Sequence, residues 1–119
     1  MSKDHRLSER FAVKWKIRFL SPEVSCNART ADVSQNGASF HSDVAIPQSI
    51  KATVTISLPP SGLFPKGQDI SMHARVVYCI LQGKDGFRIG MEFTHVDDKV
   101  ADILSKKLKH LAEMNNDFK

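Results

Sequence analysis

From Val13 to Phe19 the chain alternates without a break, with Val13, Trp15, Ile17 and Phe19 on one side and Lys14, Lys16 and Arg18 on the other. An extended strand sorts such a sequence into one apolar and one charged face, as no helix can. The same period returns from Ile50 to Leu58, where Ile50, Ala52, Val54, Ile56 and Leu58 alternate with Lys51, Thr53, Thr55 and Ser57. Two half-buried strands, in a chain of 119 residues with room for one core, demand further strands to cover them.

The rest of the sequence supplies these. A weakly patterned strand runs from about Val24 to Val33, after the break at Ser21-Pro22. Asn36-Gly37 is a turn signal, and Ala38 to His41 forms a short strand beyond it. Pro59 to Gly67 holds three prolines and two glycines, so it is a loop. Ile70 to Leu81 reads as a long strand, Gly83 to Gly86 as a hairpin turn, and Phe87 to Phe93 as the return, with Phe87, Ile89, Met91 and Phe93 inward. Asp97 or Asp98 then caps a helix whose Val100, Ile103, Leu104, Leu108 and Leu111 recur at helical spacing. The expected fold is all-β: a small six-stranded antiparallel β-barrel with a C-terminal α-helix closing an open end or edge.

Three segments follow. Residues 1–12 lack an apolar period and form a mobile basic arm, residues 13–96 the barrel, and residues 97–119 the helix and tail. The net charge is +4, and residues 1–18 carry six basic side chains against two acidic ones. The other 101 residues balance at eleven against eleven, so an anionic partner should be met by the N-terminal end.

Several classes are excluded on composition. The longest apolar run, Val76 to Leu81, is too short to span a bilayer, and no membrane insertion is expected. The charged start, without an apolar stretch behind it, is no secretory signal, and the expected location is cytoplasmic. Cys26 and Cys79 stand far apart in strand-like segments and read as reduced, half-buried residues. The histidines at 5, 41, 73, 95 and 110 form no metal-spaced pair, so no metal or resident cofactor is expected. Asp32, Ser34 and His41 have the types of a nucleophilic triad but crowd into one hairpin with no oxyanion-hole signature, and no enzyme is expected.

Two clusters remain: Arg6-Leu7-Ser8-Glu9-Arg10 in the arm, and Asp32-Val33-Ser34-Gln35-Asn36-Gly37 after the second strand. Here the sequence resembles the PilZ domain family, small bacterial β-barrels that bind cyclic di-GMP through an R-x-x-x-R arm and a D-x-S-x-x-G turn. The resemblance extends to Val13, to Gly90-Met91-Glu92-Phe93 in the style of the last-strand G-x-x-F, and to the terminal helix. It implies that Arg6, Arg10, Asp32, Ser34 and Gly37 bind the nucleotide. Tyr78 corresponds to a position where some relatives set an aromatic ring against guanine. His5 stands where many relatives carry another arginine, a residue tied in the family to whether one or two nucleotides are held.

The residue types suit that ligand. A guanidinium meets a phosphate or the O6/N7 edge of guanine with two parallel hydrogen bonds, worth about 1–3 kcal/mol of base discrimination in DNA readers. Arg6 and Arg10 lie on one side of an extended arm, about 13 Å apart at strand rise, or nearly adjacent on a helical turn, so both can face one compact ligand. A carboxylate at Asp32 accepts from guanine N1–H and N2–H, Ser34 adds a hydroxyl on the same face, and Gly37 can take a positive φ and let backbone approach a flat base. These residues also suit a simple hairpin turn.

The expected function is a non-enzymatic cyclic di-GMP receptor whose ligand-ordered arm alters the surface seen by an unidentified effector protein. The alternatives are a PilZ-like protein–protein adaptor with weak or no nucleotide binding, and a small barrel binding single-stranded nucleic acid. The second lacks aromatic residues interleaved with Lys14, Lys16 and Arg18.

Overall fold

The computed structural model describes residues 9–62 and 64–116. Six strands, β1 (Lys16–Leu20), β2 (Ser25–Val33), β3 (Gly37–Ser42), β4 (Lys51–Leu58), β5 (Gln68–Leu81) and β6 (Phe87–His95), are followed by helix α1 (Asp98–Asn116). All neighbours pair antiparallel, and the order β1-β2-β3-β6-β5-β4 closes because β1 pairs with both β2 and β4. Closure leaves no edge for the helix to cover.

The two clean alternations are core strands. In β4, Ala52, Val54, Ile56 and Leu58 are buried, and in β1 Ile17 and Phe19 point inward with Trp15 just ahead of them. Phe19 meets Phe40 of β3 at a ring separation of 5.8 Å. Such tilted aromatic pairs add about 0.5–1.5 kcal/mol beyond the area they bury. The β5–β6 hairpin turns through a single 3-10 turn at Gly83–Asp85, with Gly83 and Gly86 both at positive φ. Phe87 and Phe93 are only half-buried, whereas Ile89 and Met91 between them are fully inside.

The first strand starts three residues later than the alternation suggests. Thr30 occupies the place of a ladder partner: its Oγ1 donates to the Val13 carbonyl and accepts the Trp15 N–H at 2.9 Å. Over Val13–Trp15 these side-chain bonds join a single backbone bond, from the Thr30 N–H to the Trp15 carbonyl at 2.8 Å, in place of a full ladder. Phe11, placed in the arm by its sequence, is instead in the core at 8% exposure. It exchanges two backbone hydrogen bonds with Val33, each 2.9 Å.

Helix α1 buries Leu104 and Leu108 and packs against β5. Beside it, a groove lined by Phe11, Gln35 and Leu108 marks the end of the barrel at which the helix sits.

Candidate functional site

A slip in one ladder decides where Asp32 points. In β2–β3 the register shifts between Thr30, opposite Phe40, and Asp32, opposite Ser39. Thr30 is buried with Phe40, and plain alternation would send Asp32 inward after it. The bulge reverses the parity and puts the carboxylate on the outer face, with 14% of its side chain exposed.

Three donors converge there. Arg10 Nη1 donates to Oδ1 at 3.0 Å, and Ser39 Oγ donates to the same oxygen at 3.0 Å. Arg88 Nη2, from β6, donates to Oδ2 at 2.6 Å and to Ser39 Oγ at 3.2 Å. One carboxylate therefore joins the residue before Phe11 to three strands, and Arg10 and Arg88 set two positive charges against one negative charge.

A second slip, between Val76 and Tyr78 in β5–β6, does the same for Tyr78, whose partner is Gly90. Asp32, Ser39, Gly90 and Tyr78 consequently form one row across four strands. A Cβ on Gly90 would come within 2.0 Å of Tyr78 Cε2, so the ring lies over the bare glycine. In the next row Arg75 Nε donates to Glu92 Oε2 at 3.0 Å, beside Gly37.

The turn itself departs from expectation in two places. Strand β2 ends at Val33, so two-residue alternation does not carry to Ser34. Ser34 is buried at 2% exposure, its Oγ accepting the Asn36 and Gly37 N–H groups and donating to the Gly37 carbonyl. It shapes the turn rather than standing beside Asp32. Gly37 does not have a positive φ. It is needed for space, because a Cβ there would lie 2.2 Å from the Met91 carbonyl oxygen of β6. The turn is held from three sides: Val33 by Phe11, Asn36 by the Phe93 N–H, and Gln35 by the Ala101 carbonyl of α1.

Of the expected site residues, the structure brings together Arg10 and Asp32, sets Tyr78 in the same row, and places Ser34 and Gly37 in the supporting turn. His5 and Arg6 lie outside the described residues. Ser39 and Arg88 were missed. Both sit at polar positions of alternating strands, but only the β3–β6 register brings Arg88, 56 positions on, to Asp32.

Elsewhere on the barrel, β1, β2, β4 and the start of β5 line an open groove of about 650 Å³ between Lys16, Arg18, Arg29 and Asp69. Its lining contains no aromatic side chain on which a base could stack. Among the described residues no group of three His, Cys, Asp or Glu side chains could hold a metal ion, and no helix is long and apolar enough to cross a membrane. Burial pushes the Cys26 thiol up from its ordinary pKa, away from the thiolate that a nucleophile requires.

Among curated proteins none matches this sequence. Solved structures share the fold, three of them as follows. The inhibitor of motility MotI/DgrA from Bacillus subtilis superposes with a TM-score of 0.77 at 13% identity over 91% of this chain. The match covers 51% of that protein, so this chain spans about half its length. The PilZ domain of CeSA from a cellulose-synthesising bacterium gives 0.59 at 16% identity, covering 88% of this chain and 99% of that one. The PilZ domain of YcgR from Escherichia coli, solved with c-di-GMP, gives 0.60 at 15% identity, covering 92% and 95%. The PilZ domain model matches residues 4–110, nearly the whole chain. This protein belongs to the PilZ domain family.

Proposed function

We propose that this PilZ domain is a non-enzymatic cytoplasmic receptor for cyclic di-GMP, with residues 1–10 as the arm that folds over the ligand and an effector protein as the reader of the resulting surface. One observation carries the reading: Asp32, turned outward by its bulge, already accepts a guanidinium from Arg10 of the R-x-x-x-R arm. The carboxylate matches the N1–H and N2–H edge of guanine, and the two arm arginines match its O6/N7 edge or the two phosphates. Ser34 and Gly37 act by fixing the turn that ends β2, and Tyr78 offers a ring in the same row. Free Cys26 and Cys79 suit a reducing compartment.

Calorimetric titration tests this directly. Cyclic di-GMP is expected to bind, with linear pGpG weaker and GMP weaker still, because two bases and two phosphates must engage arm and turn together. Added salt should weaken binding only modestly, since two phosphates are neutralised rather than many. Equal affinity for GMP, or no heat with cyclic di-GMP, overturns the reading, and tight, steeply salt-dependent binding of oligonucleotides replaces it with the nucleic-acid alternative.

Arg10→Ala and Asp32→Ala should each lower the affinity at least about tenfold, equal to about 1.4 kcal/mol, because each removes a charge-assisted hydrogen bond. Both variants should keep the far-ultraviolet circular dichroism of the parent. A variant that binds like the parent removes that residue from the site.

A further inference from the structure

The hydrogen-bond capacity of Asp32 assigns unequal roles to its three partners. A carboxylate has about four acceptor sites, two on each oxygen. Oδ1 already takes two donors, Arg10 Nη1 and Ser39 Oγ, whereas Oδ2 takes one, Arg88 Nη2. A guanine that presents N1–H and N2–H side by side needs one site on each oxygen. Oδ2 has its site open, and Oδ1 does not.

One donor must therefore leave Oδ1, and the surroundings select which. Ser39 lies fully buried in the middle of β3, and its hydroxyl also accepts from Arg88. Arg10 precedes the first strand, with 54% of its side chain exposed. Arg88 is the least replaceable of the three. Its Nη2 closes a triangle with Asp32 and Ser39, and its Nε is the one buried side-chain polar atom without a hydrogen-bond partner among the described residues. Leaving a guanidinium N–H unmet is unfavourable, so this arginine is poorly explained by its own stability and better explained by what it holds.

We propose that Arg88 and Ser39 form a fixed brace that aims Asp32 at guanine, and that Arg10 is an exchangeable placeholder which gives up Oδ1 to the base and turns to the nucleotide. This rests on the cyclic di-GMP reading and deepens it. Arg88 is a positioning residue: it acts on the ligand through Asp32. Arg10 keeps the carboxylate paired until the nucleotide arrives, and binding swaps one charge-assisted bond for another without leaving Asp32 alone.

The test is a double-mutant cycle read by calorimetry on the full chain, using Arg88→Met, Asp32→Ala and the combined variant, with Arg88→Lys and Ser39→Ala beside them. Arg88→Met should weaken cyclic di-GMP at least tenfold and shrink the preference for cyclic di-GMP over cyclic di-AMP, since adenine lacks the N1–H and N2–H donors. In the Asp32→Ala background the same change should alter the affinity by less than twofold. Arg88→Lys should recover only part of the loss, because an ammonium lacks the planar fork. The melting temperature of ligand-free Arg88→Met should stay near that of the parent, as no buried hydrogen-bonded charge is left alone at a carboxylate that still holds Arg10 and Ser39.

An undiminished affinity in Arg88→Met overturns the brace. So does an equal loss in both backgrounds, which makes Arg88 a direct ligand contact. If the parent protein binds no cyclic di-GMP, the receptor reading fails with it, whereas a parent that binds beside an unaffected Arg88→Met variant removes the brace alone.

Discussion

Removal of residues 1–10 is expected to lower cyclic di-GMP affinity by about a hundredfold or more, while the melting temperature of the ligand-free protein moves by no more than a few degrees. Both arm arginines go, and a loss at Arg6 like the tenfold expected for Arg10 multiplies it where the two side chains act separately. The core has little to lose. Glu9 and Arg10 are exposed, and Leu7 is the only large aliphatic residue in the deleted stretch. Thermal melts with and without nucleotide supply the check: ligand at one hundred times its Kd stabilises the intact protein by about 2.7 kcal/mol through mass action, and that increment should vanish in the truncated form. Full affinity after truncation would remove Arg6 and Arg10 from the site. A collapse of the ligand-free melting temperature would make the arm part of the fold.

The sequence carries the strands more clearly than it carries the site, and the reason is parity. Alternation reports which residues share a face as long as the ladder is regular, so β4 was legible to within a residue and the β5–β6 hairpin at its turn. A bulge inserts one residue and inverts the faces beyond it. The weak pattern of Val24 to Val33 is the trace of such an inversion, for Thr30 is inside and Asp32 outside although both occupy even steps of one strand. The D-x-S-x-x-G motif marks Asp32 without its geometry, and alternation does not reach Ser34, which lies past the end of β2. Arg88 had no local signal at all. Its link to Asp32 spans 56 residues and exists only because β3 pairs with β6 rather than with β4.

Phe11 is hidden in the sequence for a related reason: an aromatic residue outside any periodic run looks like part of a tail. Its burial makes the second large prediction. Phe11→Ala should destabilise the protein by about 3–5 kcal/mol, the usual range for emptying a buried aromatic site. For a chain of this size that amounts to a fall in melting temperature on the order of 10–20 °C. Chemical denaturation should show the midpoint moving with little change in slope, as expected when stability changes and the exposed area does not. The alanine backbone can still exchange its two bonds with Val33, so the loss is that of side-chain packing against the barrel end and α1. Set beside the truncation at residue 10, this places the border between recognition and stability at a single peptide bond: Arg10 faces the ligand side and contributes little to folding, and Phe11 anchors the arm's root to Val33, next to Asp32 at the end of β2. A Phe11→Ala variant as stable as the parent would show that the ring only covers the barrel, and the anchor would then rest on the Phe11–Val33 backbone pair alone.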